Sequence, residues 1–328
     1  MSKKESLIWV LADDRPGNYS QAIGLATFLK RPYEIKNISY NCFAKLPNFI
    51  RGKSLIGISS DTKSQILSKK NKPKIIISAG RRTASVALFL KQYYKDVFLI
   101  HIMNPSFSFS QFDLVILPEH DNFSVSSNII TSIGSLSRVE IGLLECEYKK
   151  FSTQLNKIKS PKIALLVGGS SKKGRFDVKI AKNLATIISD IVNNMSANLL
   201  ITTSRRTGED VVLELKNNLK CNNFFFEWQE KKPNPYFAFL KSADYIVVTG
   251  DSMSMCSESC SAGKPVYIYN PKEICSKKHL KFHQGLFDNN YARVLNSDIK
   301  KLETGNSVLD ETARIGLKVN DILNSKDL

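Results

Sequence analysis

No uninterrupted apolar run in this chain approaches the roughly 18 residues of a membrane-spanning helix. The opening stretch runs from Ser2-Lys3-Lys4-Glu5 directly into an apolar strand, without the leader pattern of a secreted protein. The expected location is therefore cytosolic. The cysteines at 42, 146, 221, 256, 260 and 275 show no C-x-x-C spacing, which suits reduced thiols and argues against a disulfide framework. A Walker motif, Gly-x4-Gly-Lys-Ser/Thr, is missing, and so is a complete G-x-G-x-x-G. Neither an RNP-like aromatic motif nor zinc-finger spacing occurs, so no nucleic-acid partner is expected.

Acidic residues are the scarce charge. Lys and Arg number 47 against 30 Asp and Glu, a formal net charge of +17. Such an excess favours anionic partners, namely nucleotide phosphates, an acidic membrane surface or, were there a motif to support it, nucleic acid. Only eleven of the 47 are Arg, and a Lys-dominated excess spread along the chain is equally compatible with compositional drift. With 328 residues and 42% hydrophobic content, the chain can build two cores.

The most informative stretch is 245–269. Residues 245–248 read as a buried strand, Gly250-Asp251-Ser252 as a turn that caps a helix, and Gly263-Lys264-Pro265 as its stop before the next strand. A helix opening at a strand's carboxyl end aims unpaired N–H groups at the crevice where open α/β sheets bind ligands. Asp251, Ser254 and Glu258 follow helical spacing, so Glu258 either accepts both hydroxyls of a ribose or is an exposed helix residue.

The same logic recurs along the chain. Strands are expected at 7–12, 33–39, 74–79, 97–103, 114–117, 163–167, 198–202, 224–227 and 266–269, with helices at 20–30, 178–194, 209–219, 235–241 and 310–323. The Lys-rich stretch before Ser160-Pro161 marks a boundary between domains 1–155 and 156–328, the last helix packing back across the junction. The turn Asp13-Asp14-Arg15-Pro16-Gly17-Asn18 after the first strand offers carboxylates, with Gly17, Asn18 and Gln21 beside them, or is an ordinary strand-to-helix turn. The words Gly80-Arg81-Arg82-Thr83 and Ser204-Arg205-Arg206-Thr207 each place paired guanidiniums near a helix start, either for an anionic ligand or for an acid elsewhere in the fold. His120 sits between Glu119 and Asp121 at a strand end, as a general base or a turn cap. Gly168-Gly169-Ser170-Ser171 follows a buried strand and would offer free N–H groups to a pyrophosphate. Cys275, His279 and His283 have helical zinc-ligand spacing, but Lys277, Lys278 and Lys281 surround them, so no metal is expected. In 42–53, Phe43, Leu46 and Phe49 are interspersed with Lys45, Arg51 and Lys53, which reads as a packed loop or as a contact with an anionic membrane.

Taken together, Asp14-Arg15-Pro16-Gly17-Asn18-x2-Gln21-Ala22-x-Gly24, Ser78-Ala79-Gly80-Arg81-Arg82-Thr83, Pro118-Glu119-His120-Asp121, Val167-Gly168-Gly169-Ser170, Thr202 to Thr207 and Thr249 to Pro265 resemble the mitochondrial fission family of bacterial and plant proteins, related to the plant ELONGATED MITOCHONDRIA factor and grouped with GT-B glycosyltransferases. The resemblance implies two doubly wound, Rossmann-like parallel-sheet domains facing a cleft. It also implies a nucleotide-sugar as substrate rather than any cofactor, and transfer to a lipid-linked acceptor, or else a non-catalytic scaffold working by protein or membrane contact at the inner face of the membrane. Under the enzymatic reading Gly168, Gly169, Ser170, Ser171, Arg205, Arg206, Asp251, Ser252, Met253, Ser254 and Glu258 hold the nucleotide, and Asp13, Asp14 or His120 deprotonates the acceptor. Gly17, Asn18, Gln21, Arg81 and Arg82 line the amino-terminal side. Many GT-B relatives carry a histidine where Asn18 stands, and an amide cannot take a proton there. No Asp-x-Asp occurs, so a metal-bound pyrophosphate site has no support in the sequence.

Overall fold

The computed structural model describes residues 8–67, 72–121, 123, 126–171, 174–229 and 232–328. Leu7 of the first expected strand and Lys172 and Lys173 of the Gly-Gly-Ser-Ser turn fall outside them. The chain forms two compact units, one running to Arg138 and including Asp310–Leu328, the other Val139–Leu309.

The first unit contains strands β1 (Ile8–Ala12), β2 (Tyr33–Asn37), β3 (Ile75–Ala79), β4 (Phe98–Ile102), β5 (Leu114–Pro118) and β6 (Ile129–Ser132), with helices α1 (Pro16–Phe28), α2 (Asn48–Arg51), α3 (Ser60–Ile66) and α4 (Arg81–Tyr94). The strands form one parallel sheet in the order β2-β1-β3-β4-β5-β6. β1, β3, β4 and β5 are buried end to end because helices cover both faces, so they read as unbroken apolar runs. Alternation along each strand divides them between two layers. Ile8, Val10, Ile75 and Ile77 pack with α1, while Trp9, Leu11, Ile76 and Leu99 pack with α4.

The second unit contains α5 (Ile141–Leu155), β7 (Lys162–Leu166), α6 (Val178–Asn194), β8 (Asn198–Thr202), α7 (Glu209–Asn218), β9 (Asn223–Phe226), α8 (Tyr236–Ser242), β10 (Tyr245–Thr249), α9 (Met253–Ser261), β11 (Val266–Tyr269), α10 (Lys277–Asp288) and β12 (Arg293–Val294). Its parallel sheet runs β12-β11-β10-β7-β8-β9. α5 belongs here although the boundary at 155/156 assigns it to the first half. It packs on α8, Lys241 pairs with Glu145, and Lys162 Nζ reaches Leu155 O at 3.0 Å.

The last helix, α11 (Glu311–Asn324), lies with the first unit. Ile315, Val319 and Leu323 join the layer containing α1, and Gly316 provides the space that the Phe28 ring fills, since a Cβ there would stand 2.1 Å from it. Glu311 accepts from Ile133 N at 2.7 Å. No helix among the described residues is long and apolar enough to cross a membrane.

Candidate functional site

In the second unit the chain steps from β7 to β8 and β9 on one side and returns to β10 on the other, so the strand order reverses between β7 and β10. Ligands of open α/β sheets bind outside the carboxyl ends at such a point. Three loops meet there. Asp251, after β10, is 5% exposed, and its Oδ2 accepts from Arg206 Nη2 at 2.8 Å and from Gly169 N at 2.9 Å. Oδ1 accepts from Thr249 Oγ1 at 2.7 Å. Arg206, after β8, also donates to Gly169 O at 3.1 Å. The Asp251–Arg206 pair thus bridges over the end of β7, from the loop on one side to the loop on the other.

That bridge explains the glycines. A Cβ on Gly168 would stand 2.2 Å from Asp251 Oδ1, and one on Gly169 would stand 2.1 Å from the Arg206 carbonyl oxygen. The Gly169 neighbour is backbone and cannot swing away. Gly169→Ala is therefore expected to cost about 2–4 kcal/mol, read as a shift in the denaturation midpoint of the purified protein.

The expectation of free N–H groups in this turn is corrected. Gly168 N donates to Thr249 Oγ1 at 2.7 Å, Gly169 N to Asp251, Ser170 N to Arg206 O at 3.2 Å and Ser171 N to Gly174 O at 2.8 Å. All four amides are used within the protein. At the start of α9 the Ser252 side chain accepts from Met255 N, and the first-turn amides of Met253 and Ser254 have no acceptor within the helix. Arg205 is exposed, one residue before the paired Arg206, and no acid pairs with it among the described residues.

Glu258 is 8% exposed, so the exposed-helix alternative does not hold. Tyr236 Oη donates to Glu258 Oε2 at 2.9 Å. Burial, and then the neighbouring carboxylate, raise the Tyr236 phenol well above its ordinary pKa, which keeps it a donor. Tyr236 has no motif around it in the sequence, only Asn234-Pro235 ahead of a short helix.

The first unit reverses its strand order between β1 and β3, and again an aspartate after one strand meets an arginine after the other. Arg82 pairs with Asp13 and Asp14, and Asn18 Nδ2 donates to Asp13 Oδ2 at 2.6 Å. Gly80, at φ +83°, has no room for a Cβ because the Asn18 amide lies 2.3 Å from that position. Asn18 therefore braces the turn and its acid. Burial chiefly, with Asp14 alongside, raises the Asp13 carboxyl above its ordinary value, against the opposing pull of Asn18 and Arg82. For Asp14 burial works upward, but Arg82 and Asp13 outweigh it and the net shift is downward. The two carboxyls are thus driven apart, Asp13 keeping its proton to higher pH.

In both arginine words the second member forms the acid pair. The first member of the earlier word, Arg81, donates to Leu46 O at 2.7 Å and so ties down the loop 44–48. Only Arg81 and Arg82 occupy a helix first turn, since α7 begins later, at Glu209, with Glu209 and Asp210 complementing its dipole. Gln21 is buried and donates to Gly17 O and Met103 Sδ, which makes it a packing residue. His120 stands in a turn closed by Asp121 N on Pro118 O at 2.9 Å. Three strand spacings separate β5 from β1, about 14 Å, so His120 is not part of the Asp13–Asp14 cluster. His279 is part of a helix cap, its Nδ1 accepting from Ser276 N at 3.0 Å.

Both sheets are doubly wound parallel sheets, and the fold is that of GT-B proteins. Among the solved structures that match over the chain are two at TM-scores above 0.5. UDP-GlcNAc 2-epimerase from Methanocaldococcus jannaschii aligns at TM-score 0.56 and 13% identity, covering 96% of this chain and 99% of that one. UGT2 of Phytolacca americana, complexed with UDP-2fluoro-glucose and pterostilbene, aligns at 0.52 and 9%, covering 99% and 94%. The profile of the family described as Mitochondrial fission ELM1 matches residues 16–323, and the chain belongs to that family. It is 34% identical over 331 residues to the uncharacterized protein RP120 of Rickettsia prowazekii (strain Madrid E), covering 90% of this chain and 92% of the relative. It is 25% identical over 248 residues to mitochondrial fission protein ELM1 of Arabidopsis thaliana, covering 69% of this chain and 58% of the plant protein.

Proposed function

We propose that the protein binds a nucleotide-sugar at the carboxyl edge of the second sheet and transfers the sugar to a hydroxyl of a lipid-linked acceptor. The observation that carries this is Glu258, a nearly buried carboxylate held by Tyr236 on the helix that opens beyond β10. A carboxylate at such a site can accept charge-assisted hydrogen bonds from the two hydroxyls of a ribose. The pyrophosphate would lie on the Met253 and Ser254 amides with Arg205 beside it. Asp251 and Arg206 would shape this cradle while neutralising each other. Asp13 or Asp14 would take the acceptor proton, and of the two Asp13, raised by burial, holds a proton the more strongly. Uridine nucleotides are the first to try, since one similar structure is a UDP-GlcNAc 2-epimerase and another is complexed with UDP-2fluoro-glucose.

A second reading, a GT-B-fold scaffold without catalysis, has its own support. The Gly168–Ser171 amides are fully occupied, and Asn18 stands where many related enzymes carry a histidine. A thermal-shift screen of nucleoside diphosphates and nucleotide-sugars separates the two. The enzymatic reading expects stabilisation that grows with ligand concentration, whereas no shift with any uridine, guanosine or cytidine diphosphate supports the scaffold. Arg205→Ala should weaken UDP by about five- to tenfold and leave uridine unaffected, with the melting temperature of the free protein unchanged. Equal losses for both ligands would remove Arg205 from the phosphate subsite.

A further inference from the structure

Residues 43–56 of the first unit carry their polarity inside out. In α2, Asn48 and Arg51 are 2% and 1% exposed, while Phe49 and Ile50 beside them are 83% and 53% exposed. Phe43, in the preceding turn, is 56% exposed and Ile56 48%. The buried polar side chains hold this arrangement. Asn48 Nδ2 donates to Arg81 O at 2.9 Å and Pro105 O at 2.7 Å, and Arg51 donates to Ile56 O at 3.1 Å and Arg82 O at 3.2 Å. One short helical turn cannot bury 48 and 51 without presenting 49 and 50 outward. Gly57, at φ +95°, closes the other side, since a Cβ there would stand 2.8 Å from Ala44 N, so Ile56 lies next to the Phe43 turn.

Scattered exposed apolar residues are ordinary, but a group fixed outward by buried polar anchors calls for a partner. Its charge says which. No Asp or Glu occurs between Glu34 and Asp61, while Lys45 and Lys53 are exposed beside the apolar group. A few protruding apolar side chains fall short of the roughly 800 Å² per side of a stable protein interface. Apolar insertion joined to a cationic rim is the pairing that holds a peripheral protein on an anionic bilayer.

We propose that this surface docks on an anionic membrane, with Phe43, Phe49, Ile50 and Ile56 entering the interfacial layer and Lys45 and Lys53 meeting lipid phosphates. The inference does not rest on nucleotide binding. Co-sedimentation of the full chain with vesicles of phosphatidylcholine, with and without phosphatidylglycerol, tests it. The expected result is binding that requires phosphatidylglycerol, is reduced about tenfold or more in Phe43→Ser/Phe49→Ser, and falls likewise in Lys45→Glu/Lys53→Glu. Both variants should keep the wild-type melting temperature, because the substituted side chains are exposed. Three results would overturn the proposal: no sedimentation of the wild type with either vesicle, unchanged sedimentation of the serine variant, or a wild-type dimer on size exclusion that the serine variant dissolves. The last would make the surface a contact between copies of the chain.

Discussion

Glu258→Gln is expected to weaken binding of UDP by about ten- to a hundredfold, the equivalent of about 1.5–3 kcal/mol for hydrogen bonds that lose their charged partner. The substitution preserves shape, and the amide oxygen can still accept from Tyr236, so the helix should stay in place. What disappears is the negative charge offered to ribose hydroxyls. A purely structural Glu258 would behave in the opposite way, lowering the melting temperature and leaving affinity unchanged. Calorimetric titration of folded wild type and variant separates these outcomes, and equal affinities would take Glu258 out of the site.

Asp251→Ala is expected to destabilise the second unit by about 3 kcal/mol, at the low end for a broken buried ion pair because the Arg206 side chain is 35% exposed. Removal of the carboxylate leaves the Arg206 guanidinium, the Gly169 amide and the Thr249 hydroxyl without their shared acceptor, over a turn that can hold no side chain to fill the gap. Adding Arg206→Ala should cost much less than it does alone, since the charge it would strand is already gone. Urea denaturation of the single and double variants reads this coupling. Additive losses would mean that the pair does not act as a unit.

Much of the fold was legible because parallel strands covered on both faces must be continuously apolar, as in Ile8–Ala12 and Ile75–Ala79. Edge strands carry no such signal. β6 has only Ser132 fully buried and β12 is two residues long, and neither was anticipated. The residues of the candidate site were legible as types but not as pairs. Nothing in the spacing of Asp251 and Arg206 reveals that β10 and β8 flank β7, so the glycines between them read as a phosphate cradle when their bareness accommodates a protein ion pair. Arg81 and Arg82 are adjacent in sequence yet differ in use, one clamping loop carbonyls and the other an acid pair. Tyr236 was silent for a related reason. A phenol that meets Glu258 only through tertiary packing leaves no local pattern.

In the proposed complex a nucleoside diphosphate sits on the start of α9 and on the buried carboxylate about a turn and a half further on. Hydrogen–deuterium exchange of the full chain, with and without UDP-GlcNAc and in the presence of a metal chelator, tests it most directly. The account predicts slowed exchange in peptides covering 250–258 and 203–207, with the chelator making no difference. Unchanged exchange at saturating ligand, or protection confined to segments that exclude 250–258, would contradict it.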